Sequence, residues 1–168
     1  MTILIIVGGS DPIYELDLDA GGKRGQSLAR THTHKRFKAD HPPTPPSLPP
    51  IPLPGRNRSA SQSYLHQFVA HAALDVIDNL MWVNDSCFLR VVDKFDTTIV
   101  SAYVSVGGHY LLLLHEGKEE DQVHFFFKEV HDVLSRYLLN PFVEPDCAIT
   151  SADFDTKIGY LAKRIFAN

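Results

Sequence analysis

The chain has 168 residues, 44% of them hydrophobic and 21% charged, enough to bury one sizeable core, so one domain is the default. Its formal net charge of −4 is unevenly spread: residues 21–63 hold eight of the sixteen Lys and Arg and a single acid, Asp40, which leaves the remainder strongly acidic. An acidic body argues against direct binding of nucleic acid or of an anionic membrane, because both require clustered cations on a folded surface.

No nucleic-acid partner is therefore expected, and any membrane association is expected to be indirect. Cys87 and Cys147 stand outside any CxxC pair, which disfavours a disulfide-stapled secreted fold and suits a reducing cytosolic compartment. The opening apolar run, Ile3 to Val7, is too short for a signal-peptide core and lacks a basic leader. No stretch approaches the length of a membrane span, so the chain reads as soluble.

In chain order, Ile3 to Val7 predicts a buried strand. Gly8-Gly9-Ser10-Asp11 predicts a turn, and the alternation from Ile13 to Leu18 a second strand, together a hairpin. Eight of the eleven prolines then fall between Pro42 and Pro54, where missing amide donors and a fixed φ exclude helix and central strand. A disordered, basic and Pro-rich insertion at about 24–62 is thus expected to interrupt a single domain spanning 1–168. Tripling a loop costs on the order of 1 kcal/mol in closure entropy, which a folded body tolerates. Within it, His32 to Lys38 (HTHKRFK) reads as a solvated linker rather than an RNA-binding patch. Its PxxP spacings lack the flanking cation that SH3 recognition wants.

Leu65, Phe68, Val69, Ala72, Val76 and Leu80 recur at helical spacing. They predict an amphipathic helix from Tyr64 to Leu80, with Ser63 as N-cap and these residues on the buried face. Phe88 to Phe95 predicts an edge strand blunted by Arg90, Asp93 and Lys94. Thr98 to Val106 and Tyr110 to His115 follow, joined at Gly107-Gly108 in what reads as a two-residue primed turn. The run YLLLLH has no polar alternation, so helices must cover both faces of the sheet.

A helix from Glu120 to Leu139 begins with acids that suit its dipole and stops at Asn140-Pro141. Val123, Phe126, Phe127, Val130, Val133, Leu134, Tyr137 and Leu138 line its apolar face. A last helix starts after a Ser151 N-cap and buries Phe154, Ile158, Leu161 and Ile165. The element order is ββαβββαα, an α+β chain.

His71, Asp75 and Asp78 share one side of the first helix, because steps of three and four residues return to a similar azimuth. Two carboxylates and one imidazole leave a metal's coordination sphere unfinished, and an exposed polar stripe is the ordinary explanation. Leu74, Phe125 and Leu139 point away from their helices' apolar faces; clustered, such residues would mark where another protein docks. The contact candidates are thus His71, Leu74, Asp75, Asp78, Phe125 and Leu139. The other histidines show no HExxH spacing, GGKRGQS lacks the GxxxxGK[ST] phosphate loop, and no GxSxG elbow joins Ser10 or Asp11 to a histidine. No catalytic residue, cofactor or metal is expected.

Several motifs in order carry a resemblance: Gln67, Phe68, His71, Ala72, Leu74, Asp75 and Trp82 around AHAALD; Val92-Asp93-Lys94-Phe95; Asn140-Pro141-Phe142 with Glu144-Pro145; and Phe154-Asp155 with Lys157. Over roughly Ile3 to Lys23 and Leu65 to Ala167 the chain resembles the sedlin-like, longin-like family of small adaptor domains. The resemblance implies a five-stranded antiparallel sheet with the first helix on one face and the last two on the other. It also implies a non-catalytic subunit of the trafficking protein particle (TRAPP) tethering complex. Its partners would be other TRAPP subunits, and a Rab-family GTPase only indirectly through the complex. Its place would be the cytoplasm, peripheral at endoplasmic reticulum and Golgi. The alternative is a regulatory longin domain of another trafficking protein. The chain departs from the family in its long insertion and in SVGGH, where a pattern like TAGH is usual.

Overall fold

The structure, a computed structural model, describes residues 1–9, 11–19, 58–144 and 146–166, with backbone alone for 58–65 and 67. Five strands and three helices follow in the expected order: β1 (Ile3–Gly8), β2 (Asp11–Asp17), α1 (Arg58–Leu80), β3 (Phe88–Phe95), β4 (Thr98–Val104), β5 (His109–His115), α2 (Glu120–Leu138) and α3 (Ala152–Phe166). Residues 20–57 of the expected insertion, and Ser10 of the expected turn, lie outside the described residues.

The strands form one antiparallel sheet in the order β2-β1-β5-β4-β3. All six β1 residues are buried, and so are Leu111 to His115 of β5. Successive side chains of a strand point to opposite faces. Leu4, Ile6, Leu111 and Leu113 therefore join Phe126, Phe127, Leu134, Phe154 and Ile158 of α2 and α3 in one core. Ile3, Ile5, Val7, Leu112 and Leu114 join Val69, Ala73 and Ile77 of α1 in a second. Helices on both faces are the physical reason these strands lack polar alternation. The longin-like α+β sandwich is the observed fold, with α1 on one face and α2 and α3 on the other.

At the β2 edge, Pro12 occupies the start of the strand, where a missing donor is tolerated. At the β3 edge, Arg90 adopts a φ of +59° and the β3–β4 register shifts twice. Such bulges twist an edge away from further pairing. Ser151 caps α3 as expected, its Oγ accepting the Phe154 N–H at 3.4 Å.

Three expectations are corrected. The β4–β5 connection is a three-residue loop rather than a two-residue primed turn. The Ser105 N–H donates to the His109 carbonyl (2.8 Å), the Gly108 N–H donates to the Ser105 carbonyl (3.0 Å), and Gly108 alone of the glycine pair has a positive φ, +80°. One left-handed residue closing a three-residue loop is the usual alternative to the primed pair. Second, α1 begins at Arg58, so Ser63 lies inside the helix and is not its N-cap.

The third correction decides the rest. The face of α1 that meets the sheet carries Val69, Ala70, Ala73 and Ile77, with Leu74 and Leu80 partly buried beside them. Phe68, Ala72 and Val76, expected in the core, point outward. Small alanines at positions 70 and 73 let the helix backbone lie close to the sheet, which a row of large side chains would prevent.

Candidate functional site

The six contact candidates fall into two groups on opposite faces of the sheet. His71, Leu74, Asp75 and Asp78 belong to α1. His71 is exposed and Leu74 is partly buried against the core, so Leu74 does not point away from the apolar face as expected. The two line a narrow apolar crevice between α1 and the first hairpin, with Ile5, Val7, Pro12, Glu15 and Ala70. Asp75 is exposed on the outer side of the helix. Its backbone carbonyl accepts the Asn79 side-chain amide at 2.7 Å. Asp78 accepts the Tyr110 hydroxyl at 3.3 Å. Burial first, and the Asp78 carboxylate second, push the Tyr110 hydroxyl's pKa up.

Phe125 and Leu139 lie on α2, fourteen residues apart. A rise of about 1.5 Å per residue separates them by roughly 21 Å, so they form no common patch. The Phe125 ring is half exposed, with the Arg164 guanidinium 6.0 Å from its centroid and that guanidinium paired to Glu129 at 3.0 Å. Leu139 is exposed at the C-terminal cap of α2.

Sequence reasoning missed the exposed apolar residues on and just after α1. Phe68 is 67% exposed, Val76 37%, Trp82 85% and Val83 81%. Phe68, Ala72 and Val76 succeed one another at four-residue steps and so form one row along the outside of α1, with Asp75 and Asn79 beside it. Trp82 and Val83 continue past the helix end. The available signal was that the apolar residues of α1 fill two neighbouring rows, a wider arc than one buried face needs.

Two wider hollows exist among the described residues. One, of about 370 Å³, lies between the end of α2 and the start of α3, lined by Arg136, Tyr137, Asp153 and Lys157 among others. The other, of about 290 Å³, lies below the end of α1, with Met81, Cys87, Leu89, Ser105 and Tyr110 in its wall. Ser105 Oγ also stands 3.0 Å from Nε2 of His131, a residue of α2 outside that wall, the distance of a nucleophile and its base. Ser105 Oγ also accepts the Gly107 N–H at 3.3 Å, and the His131 ring packs on Tyr103 at 5.4 Å between centroids. The pair ties the β4–β5 loop to α2. His109 Nε2 and Asp146 Oδ1 are 3.7 Å apart, beyond hydrogen-bond range, so they form an ion pair only when the imidazole is protonated. The described residues hold no group of three or more His, Cys, Asp and Glu placed to share a metal ion.

Residues 46–164 match the family profile described as Sedlin. The transport protein particle 20 kDa subunit of Schizosaccharomyces pombe is 34% identical over 102 residues, covering 61% of this chain and 75% of that protein. A probable trafficking protein particle complex subunit 2 of Caenorhabditis elegans is 31% identical over 99 residues, 59% of this chain and 70% of its own length. Trafficking protein particle complex subunit 20 of Saccharomyces cerevisiae is 26% identical, covering 60% of this chain and 78% of itself. The chain belongs to the sedlin family.

Proposed function

We propose that this sedlin-family chain is a non-catalytic subunit of a trafficking protein particle (TRAPP) complex, a protein–protein adaptor in transport between endoplasmic reticulum and Golgi, and that a neighbouring subunit docks on the outward row of α1. The relatives named as subunits of such particles support the first part. The observation that carries the second is the exposed row Phe68, Ala72 and Val76, turned away from the sheet, with exposed Trp82 and Val83 following the helix end. Aromatic anchors that lose water on docking dominate interface energetics, while the groups around them exclude solvent. Asp75, beside the row, supplies a charged rim that selects a partner more than it adds affinity. His71, Leu74 and Asp78 border the same helix.

The partners on this reading are other TRAPP subunits. A Rab-family GTPase is reached only through the assembled complex. The chain works in the cytoplasm, peripheral at endoplasmic reticulum and Golgi, and its membrane association is indirect. No described helix is long and apolar enough to cross a membrane.

The test is reconstitution with the other purified TRAPP subunits, read by size-exclusion and by titration. The wild type co-migrates with the particle. Phe68→Ser combined with Trp82→Ala lowers its affinity at least about 30-fold, the effect of one hot spot worth about 2 kcal/mol, with an unchanged unfolding transition. A double variant that binds as tightly as the wild type removes the docking assignment. A wild type that never joins the particle removes the subunit reading.

A further inference from the structure

In the segment Asn140-Pro141-Phe142, between α2 and α3, the backbone of all three residues shapes a turn and the Phe142 side chain is left outside it. The Asn140 N–H donates to the Tyr137 carbonyl at 3.3 Å, which helps close the end of α2. Asn140 Oδ1 accepts the Phe142 N–H at 3.1 Å, and the Asn140 carbonyl accepts the Val143 N–H at 3.0 Å. Two hydrogen-bonded turns are thus nested on one asparagine. Pro141 presets φ at the second position of the outer turn, and its preceding Asn is a preferred first residue there.

Phe142 stands at the tip and is 93% exposed. Its ring takes part in none of the aromatic contacts among the described residues. Glu144 and Asp146 follow within four residues, both exposed. A large apolar side chain held out from a rigid turn, with acids behind it, has the form of a ligand. Its bound shape exists before binding, so little conformational entropy remains to be lost when it docks.

We infer that the Asn140-Pro141-Phe142 turn is a docking motif for a separate protein domain with a narrow apolar pocket for the phenyl ring, polar groups for the Asn140 side chain and a cationic rim facing Glu144 and Asp146. The acids point away from an anionic lipid surface as the occupant, since both charges would be repelled by it. The turn adjoins α2, on the opposite face of the sheet from α1, so it is a surface separate from the Phe68 row.

The experiment titrates the full chain into an isolated EH domain, a small helical module with an apolar pocket for Asn-Pro-Phe peptides, chosen with lysines around that pocket. The expected result is saturable binding that Phe142→Ala weakens at least tenfold, while its thermal midpoint matches the wild type because the ring packs on nothing. Glu144→Gln weakens binding a few-fold at low salt and has no effect at high salt. Absence of saturable binding, or equal binding by Phe142→Ala, overturns the inference. So does a finding that the wild type, and not Phe142→Ala, floats with phosphatidylcholine vesicles or self-associates, because the ring then serves a membrane or a second copy.

Discussion

His115 shows how one residue couples this fold to pH. It is 2% exposed at the end of β5. The Lys118 backbone N–H donates to its Nδ1 at 3.4 Å, which leaves the proton on Nε2, 3.0 Å from Ser101 Oγ. Burial first, and the Lys118 charge second, hold its pKa below the ordinary imidazole value. In the unfolded chain it titrates near about 6.5. Between the folded and unfolded values the unfolded state binds more protons, so stability rises with pH there. The His115 contribution is complete above the unfolded value and is lost as pH falls through the folded one. Replacing His115 with Gln should flatten this part of the profile, read as the difference in thermal midpoint between wild type and variant from pH 7.5 down to about 5. Ser101→Ala should cost about 1–3 kcal/mol at neutral pH by leaving Nε2–H without its partner. A second residue-scale constraint is Gly8, where an added Cβ would lie 3.2 Å from Ile13 Cγ2 and 3.3 Å from its Cδ1, while the exposed Asp146 carboxylate at 2.5 Å can swing away. Gly8→Ala should therefore cost about 1 kcal/mol by crowding buried Ile13, measured by urea unfolding.

At the scale of elements, α1 separates what periodicity can and cannot tell. Phe68, Ala72 and Val76 satisfy a four-residue repeat as well as Val69, Ala73 and Ile77 do, and only the second set is buried. The two rows are one residue out of step and so lie about 100° apart around the helix, and hydrophobic spacing leaves its rotation undetermined. Matched substitutions resolve it. Ala73→Leu forces a branched side chain between α1 and the sheet and should cost about 1–3 kcal/mol, whereas Ala72→Leu on the outer row should stay within about 0.5 kcal/mol. The reverse ranking would put the outer row in the core. Where a helix is apolar on one side alone, sequence suffices: Val123, Phe126, Phe127, Val130 and Leu134 of α2, and Phe154, Ile158 and Leu161 of α3, are buried as their spacing predicts. The strands were legible within a residue or two for the same reason. The β4–β5 loop was not, because Gly-Gly fits both a primed pair and a single left-handed closing residue. The proposed docking surface was the least legible part. The same ambiguity that misplaced Phe68 hid it, and Trp82 and Val83 lie just past the helix, where helical spacing does not reach.

The whole molecule is two cores sharing one sheet. Side chains of β1 and β5 alternate between them, so Leu112 serves the α1 core and its neighbours Leu111 and Leu113 serve the α2–α3 core. Among the described residues no buried side chain belongs to both, yet every central strand does. Packing losses in the two cores should therefore add, while unfolding stays cooperative, because neither helical layer can leave without stripping the strands the other rests on. Ile77 and Ile158, each 0% exposed, probe this from opposite faces. Each Ile→Ala change should cost about 2–5 kcal/mol. The double variant should lose the sum within about 0.5 kcal/mol, as expected of sites that share no partner. Urea titrations followed by far-ultraviolet circular dichroism and by Trp82 fluorescence should report one coincident transition for each single variant, with unchanged slope. A biphasic Ile77→Ala curve, with α2 and α3 persisting after the α1 layer is lost, would show instead that β1 and β5 do not couple the two layers.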